Sequence, residues 1–526
     1  MPYKTTLNIL NSENKVKTLH TNPIYHLIVC TFIPMKQLPI FILLILASTC
    51  LAQPKREMRG LWICTAYNLD WPSTANLDST TQKQELIQIL DQAQALHLNT
   101  IFFQVRAAGD AFYQSKTEPW SHWLTGRQGK SALYDPLTFI TNECHKRGLE
   151  LHAWFNLFRA VSHYKFSPPG PTHFATLHPN WCYTAKKKKM LNPGVPEARG
   201  YAVKIINEVV CNYDIDGVHL DDYFYKQETN NYKIPDQKTF KQYGKGWTSI
   251  KDWRRNNLNL LIDSIYSNVK RVKFYVKFGV SPIPTWRHKH QDPRGSDTKT
   301  ATSCYEELYA DTYKWYKNGW LDYIIPQGYW GIQHSFIGYK KVSDWWGSIA
   351  TDRHIYIGQA IYKVGNDERK GWDSAKEIVE QIKINRANKN ISGQGFYKAS
   401  SLKANTKNIT TIIQNKIYPS IALPPTMPWL DSIPPHAPHV LRHSINSNKL
   451  TFNWDISDRD ISYYILYKFN LNEIISLNNS KNINAVIKGN NYTCNLPLQD
   501  CVYIITAVDR LHNESTNFSG TLIELK

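Results

Sequence analysis

After Gln53, short apolar runs alternate with longer amphipathic stretches. The runs fall at residues 61–66, 100–106, 150–156, 215–221, 275–281, 323–327, 355–360 and 395–399. Their length and their bounding turn residues predict strands. Between them, apolar side chains recur at helical spacing: Leu86, Leu90 and Ala93 within 81–96, and Leu258, Leu261, Ile262 and Ile265 within 257–269. Alternation of this kind predicts βα units on a parallel sheet, and eight units predict a (β/α)8 TIM barrel. No Gly-x-Gly-x-x-Gly follows any run, which argues against a doubly wound nucleotide-binding sheet. Two connections are long, 109–134 and 158–197. Long loops after strands belong to the catalytic face of a barrel.

The pattern changes after Pro-rich sequence at 423–428 and 434–438. Short alternating strands at 449–454, 463–469, 503–508 and 521–525 predict a small all-β immunoglobulin-like sandwich. Residues 503–509 resemble the late strands of a fibronectin type III domain. The expected division is a barrel at 53–428, a Pro-rich linker at 429–435 and the sandwich at 436–526. Upstream, Met35-Lys36-Gln37 opens an apolar run at 38–46, followed by small residues up to Ala52. This is the pattern of a secretory signal peptide at 35–52, so export to the periplasm or cell envelope is expected. A lipid anchor on Cys50 is the alternative, for which Thr49 is a poor preceding residue. Residues 1–34 are expected to be an upstream extension outside the fold.

The chain has 526 residues, more than one core usually organises, in keeping with two domains. With 17 Trp and 31 Tyr, it carries either an aromatic-rich core or a cleft whose rings stack on sugar faces. The formal charge of +19 is spread along the chain without a nucleic-acid-binding module. Anionic cell-wall or membrane polymers account for it as well as nucleic acid does. The run from Lys186 to Lys189 reads as a solvated loop. The nine cysteines include no Cys-x-x-Cys pair, and no metal or cofactor is expected. Cys494 and Cys501 are either a bridge within the small domain or two free thiols, the latter weighing slightly more.

The richest stretch for chemistry runs from Tyr213 to Tyr225, where an apolar strand ends in Asp221 and Asp222 followed by three aromatics. Strand alternation puts His219, Asp221 and Tyr223 on one face and Val218 and Leu220 on the other. The polar set then points into the mouth of the barrel. Asp222 fits a helix cap better than Asp221 does. Glycoside hydrolysis needs a proton donor and a second carboxyl group that attacks or activates water. Glu118, beside Trp120, is the candidate donor, and an exposed loop glutamate is the competing reading. Gln104, Arg106, Trp154, Asn156, Trp286, Gln327, Tyr329 and Trp330 recur at successive strand ends as candidate sugar-binding groups.

With Met58-Arg59-Gly60-Leu61-Trp62, Gln104-Val105-Arg106, His152-Ala153-Trp154-Phe155-Asn156 and Asp216-Gly217-Val218-His219-Leu220-Asp221-Asp222-Tyr223, the chain resembles the glycosyl hydrolase-like 10 family of exported bacterial proteins. The resemblance spans about 57–427. It implies a barrel acting on polysaccharide, with peptidoglycan glycan strands as a candidate substrate. The Gly-x-His-x-Asp pattern is also similar to strand four of the α-amylase class, which implies a nucleophile's role for Asp221. That class's usual acid has no counterpart in Lys277-Phe278-Gly279-Val280-Ser281. Two rivals are a non-catalytic glycan-binding barrel and a metal-dependent hydrolase using His152, His219 and Asp221.

Overall fold

The computed structural model describes residues 53–162, 169–456, 458 and 460–525, with two further backbone strands near the N-terminus. It divides into a large unit, residues 57–419 and 424–432, and a small one that takes in 420–423 and 433–526.

The large unit is the expected barrel. Its strands are β1 Met58–Ile63, β2 Thr100–Arg106, β3 Glu150–Phe155, β4 Gly217–Leu220, β5 Lys277–Val280, β6 in two pieces (Tyr323–Ile324 and Gln327–Gly328), β7 in two pieces (His354–Ile355 and Ile357–Gln359) and β8 Gly393–Phe396. Each pairs in parallel with the next, and β8 returns to β1 with Gly393 opposite Met58, so the ring closes. Helices follow the strands: α1 Ser79–Ala95, α2 Pro136–Lys146, α3 Pro196–Asn212, α4 Ile250–Val272, α5 Thr312–Lys317, α6 Tyr339–Ser348, α7 Lys376–Ala387 and α8 Ala399–Ala404. The apolar stripes read from sequence are the buried faces of α1 and α4. The Asp78, Asp135 and Ser249 side chains cap α1, α2 and α4 by accepting backbone N–H groups.

The barrel interior is filled by rings. Trp62, Phe102, His152, His219 and Tyr323 are buried and stack or tilt against one another at centroid distances of 4.6–6.2 Å. Room for them comes from glycines on neighbouring strands. A Cβ at Gly279 would lie 2.2 Å from the Tyr323 ring, and one at Gly395 would lie 2.6 Å from the Trp62 ring.

The small unit is an all-β sandwich of two antiparallel sheets. One joins β9 Leu441–Asn446, β10 Lys449–Trp454 and β13 Asn491–Asn495; the other joins β12 Ile483–Ile487, β11 Ile461–Asn470, β14 Cys501–Asp509 and β15 Ser519–Ile523. Leu450, Phe452 and Trp454 from the first pack with Tyr464, Leu466, Tyr503 and Ile505 from the second. Cys494 and Cys501 stand as unbridged thiols. Backbone strands at Thr6–Leu10 and Val16–His20 pair with each other, and the first pairs in parallel with β15. This differs from the expectation that residues 1–34 lie outside the fold. The signal peptide at 35–52, Cys50 included, lies outside the described residues.

The expected linker needs correction. Trp429 belongs to the large unit, where its indole donates to Asp322 at 3.0 Å and its ring meets His354 edge-on. Conversely, 420–423 packs within the small unit, Leu423 lying among Tyr463, Ile465 and Tyr467.

Gly279→Ala is expected to destabilise the barrel by about 1–3 kcal/mol, because the added methyl overlaps the Tyr323 ring. Urea unfolding checks this. A variant as stable as wild type would mean that the ring moves aside freely.

Candidate active site

Asp221 follows the last residue of β4 at the C-terminal rim of the barrel and is 6% exposed. Its carboxylate accepts the Tyr223 backbone N–H at 3.2 Å. The Trp154 indole N–H lies near the same carboxyl group and eases its charged form, without closing a hydrogen bond to it. Asp222 is partly exposed and is hydrogen-bonded by the Gln327 side chain. That amide also donates to the Ser281 carbonyl at 3.1 Å, which ties the ends of β5 and β6 to the aspartate pair.

Burial pushes the Asp221 carboxyl well above the usual carboxylate range; the Asp222 charge adds to the rise and Arg159 opposes it. Burial raises Asp222 as well, against Gln327, Arg159 and Lys226. Two neighbouring carboxyls, one buried and one partly so, titrate as a unit, so the pair holds a proton at pH values where a lone aspartate is bare. Gln327 and Lys226 act on Asp222, which favours the charge there and the proton on Asp221.

Around the pair lie Tyr223, which is 41% exposed with the Arg159 guanidinium 4.1 Å from its ring centroid, and Tyr329. Burial lifts the Tyr329 hydroxyl well above its ordinary value, with Tyr362, Asp222 and Asp221 adding to the effect. Tyr329 stacks on Tyr397 at 5.9 Å. On the rim after β1, Tyr67 is 47% exposed and tilts against Trp123 at 4.9 Å. Tyr67 and Asn68 both have left-handed backbones, φ 57° and 54°. The Asn68 amide holds that loop by donating to the carbonyls of Pro72 and Trp123, each at 2.9 Å.

Several residues expected at the site serve the scaffold instead. Glu118 is buried and grips the Arg106 guanidinium with both oxygens at 2.8–3.0 Å, and it accepts the Tyr201 hydroxyl at 2.8 Å. A carboxylate so engaged is not a free proton donor, and Arg106, which also donates to the carbonyls of Asn156 and Leu157, is not a sugar ligand. The Gln104 side-chain amide donates to Asn156 Oδ1 at 3.1 Å, and its Oε1 accepts the Thr65 and Ala66 N–H groups, pinning the β1 loop. Trp286 donates to Asp311 at 2.9 Å and stacks on Tyr313, fully inside the β5 loop.

His219 is fully buried below the mouth. The Trp62 indole donates to its Nε2 at 3.3 Å, so Nε2 is an acceptor and Nδ1 carries the hydrogen. Nδ1 then donates to the Tyr323 hydroxyl at 3.1 Å, which donates to His152 Nδ1 at 2.9 Å. Burial and the neighbouring His152 hold the His219 pKa well below its ordinary value, so the ring is neutral. These commitments occupy the imidazoles that a metal site with Asp221 would need. Trp330 remains available: it is partly exposed and lines a cavity of about 240 Å³ with Gln333, His334, Lys370 and Trp372.

Sequence reasoning missed Arg159, Tyr67 and Tyr397. Arg159 stands at the head of a connection that its length alone marked as functional, but nothing in its own neighbourhood singles it out.

A closed parallel barrel with a carboxyl pair, a guanidinium and exposed aromatic rings at the C-terminal ends of its strands defines a glycan-acting barrel protein. The chain belongs to the glycosyl hydrolase-like 10 family, which matches residues 57–374. It is 39% identical over 476 residues to glycosyl hydrolase YngK of Bacillus subtilis (strain 168), covering 88% of this chain and 93% of that protein. It is 38% identical over 391 residues to glycosyl hydrolase DigH of Escherichia coli (strain K12), covering 69% and 88%. More distant likenesses include the glycoside hydrolase domain of PgaB (BpsB) from Bordetella bronchiseptica, with TM-score 0.44 and 12% identity over 68% of this chain and 98% of that one. The endo-beta-1,4-mannanase from Thermotoga petrophila gives TM-score 0.41 and 8% identity over 90% and 100%.

Glu118→Ala leaves the Arg106 charge buried and unpaired, so it is expected to cost about 3–5 kcal/mol of stability. Denaturant titration checks this. Loss of turnover in a variant as stable as wild type would instead return Glu118 to the list of catalytic groups.

Proposed function

We propose that the protein is an exported glycoside hydrolase that cleaves a polysaccharide, with peptidoglycan glycan strands as its substrate. The observation that carries this reading is the Asp221–Asp222 pair at the end of β4, raised by burial and flanked by Arg159. Glycosidic cleavage needs one carboxyl that is protonated and one that is charged. The pair supplies both from adjacent residues. Asp221, carrying the proton, donates it to the leaving oxygen. Asp222, held charged by Gln327 and Lys226, stabilises the positive charge that develops on the sugar or draws a proton from water. Tyr223, Tyr329 and Tyr67 offer faces for sugar rings. The nucleophile's role expected of Asp221 from the α-amylase pattern passes to a proton donor's role here.

A non-catalytic glycan-binding barrel is the second reading. It is favoured by one feature: the carboxyl that acts most strongly on Asp221 is its own chain neighbour, not one across the mouth.

Asp221→Asn and Asp222→Asn are each expected to lower kcat by about 100- to 10,000-fold on purified glycan strands, with KM little changed. Wild-type kcat/KM should fall on the alkaline side as Asp221 loses its proton and on the acid side as Asp222 gains one. A carboxyl whose folded pKa is raised binds its proton more tightly folded than unfolded, so it destabilises the fold as pH climbs above the ordinary carboxylate value, near 4. Thermal melts of Asp221→Asn should therefore gain on wild type as pH rises through that window. A well-folded Asp221→Asn with wild-type turnover would remove the pair from the mechanism and leave the binding reading.

Export rests on the signal pattern at 35–52. The secreted form is expected to begin near Gln53 by intact mass; a mature chain retaining residues upstream of Met35 would refute it.

A further inference from the structure

The lysine run at 186–189 was expected to be a solvated loop; Lys186 and Lys187 are an exposed turn, while Lys188 begins a strand within reach of Arg159 and Lys226. The connection after β3 folds into a three-stranded antiparallel sheet in the order Arg159–Val161, Lys188–Leu191, Cys182–Ala185. Arg159 and Tyr183 both stand opposite Met190 in the register, and Lys188 precedes Met190 by two residues. Residues opposite one another share a face, as do residues two apart, so Arg159, Tyr183 and Lys188 present their side chains to the same side. Lys226 joins that side, its backbone N–H donating to the Tyr183 hydroxyl at 3.3 Å. Arg159 in turn lies over the ring of Tyr223, the residue that follows the aspartates.

None of these three cations makes an ion pair among the described residues. Arg159 is 6% exposed, and its side chain donates to the Ala107 carbonyl at 3.4 Å. The stretch His163-Tyr164-Lys165-Phe166-Ser167-Pro168, which follows in the same connection, contains no acid. A shared proton leaves the aspartate pair one negative charge against three positive ones. Three cations set against a single shared negative charge leave a net positive field that an anionic ligand would fill. The field is also felt within the cluster: burial lowers the Lys188 pKa, and Arg159 and Lys226 lower it further.

We propose that Arg159, Lys188 and Lys226 form a subsite for a sugar unit bearing a carboxylate, seated on Tyr223 next to the catalytic aspartates. The planar guanidinium suits a carboxylate's two oxygens, and the two flexible ammonium groups close on it from the rim. A carboxylate reaches a pyranose either as a uronic acid or through a lactyl ether, and both present the same anion. The proposal rests on the glycan-hydrolase reading and narrows its substrate.

The test is isothermal titration of the full chain carrying Asp221→Asn, chosen to slow turnover during the titration. Three tetrasaccharides of similar length serve as probes: neutral chitotetraose, one alternating N-acetylglucosamine with glucuronic acid, and one alternating it with N-acetylmuramic acid. At least one acidic probe is expected to bind about tenfold more tightly than chitotetraose at low salt, with the margin shrinking at high salt. Adding Lys188→Ala and Lys226→Ala is expected to collapse that margin. The acid that binds more tightly identifies the source of the carboxylate. Equal affinity for acidic and neutral probes would overturn the subsite while leaving the hydrolase reading intact, as would a margin that survives the double substitution. Failure of every probe to bind would overturn the glycan reading, and the subsite with it.

Discussion

A line of hydrogen bonds along the barrel axis sets the position of everything above it. Trp62 donates to His219, His219 to Tyr323, and Tyr323 to His152, whose far nitrogen reaches Glu150 at 3.4 Å. Each link admits one direction only, because the indole at the top has a hydrogen to give and nothing to accept with. A second proton on His219 would set donor against donor among fully buried rings. The imidazole is therefore locked neutral, and with it the last residues of β4. The aspartates that follow inherit that fixed direction. The glycines at 279 and 395 belong to the same constraint, since the rings that carry the relay occupy the places their side chains would fill.

Above this neutral axis the charges are kept in separate compartments. Glu118 and Arg106 neutralise each other within the β2 connection, and Glu57 bridges Arg59 and Arg386 below β1. These pairs fasten loops and strand ends. The charges at the mouth are arranged otherwise: two carboxyls are forced together and the nearest guanidinium is shared between them, an aromatic ring and the sheet of the β3 connection. Pairs that are satisfied hold the structure, and groups that are left imperfectly satisfied can do chemistry.

The barrel was legible from sequence because periodicity is local. Each of the eight apolar runs overlaps an observed strand, and the stripes on α1 and α4 are where the spacing put them. Pro326, which has no N–H to give, divides β6 in a way that an apolar run does not reveal. Asp221 was legible for the same local reason, through alternation along β4. Glu118 was not, because its fate is decided by Arg106 and by Tyr201 on α3, both brought to it by the fold. The gathering of Arg159, Lys188 and Lys226 was not legible for a related reason: strand pairing inside the β3 connection joins the first two, and Lys226 meets them from the segment after β4. Trp286 and Gln104 show the converse error, in which a polar or aromatic residue at a strand end is spent on holding its own loop.

The loop bearing Tyr67 is shaped before any ligand arrives. Two successive side-chain-bearing residues sit in the left-handed region, a conformation that costs of order 1 kcal/mol or more each and survives only where surroundings impose it. Here the Asn68 amide imposes it, with both of its hydrogens spent on neighbouring carbonyls. The strain has thus been met during folding, and a sugar that lands on the Tyr67 ring has no loop to freeze. Recognition at this edge of the mouth is then rigid-body docking with little ordering entropy to lose.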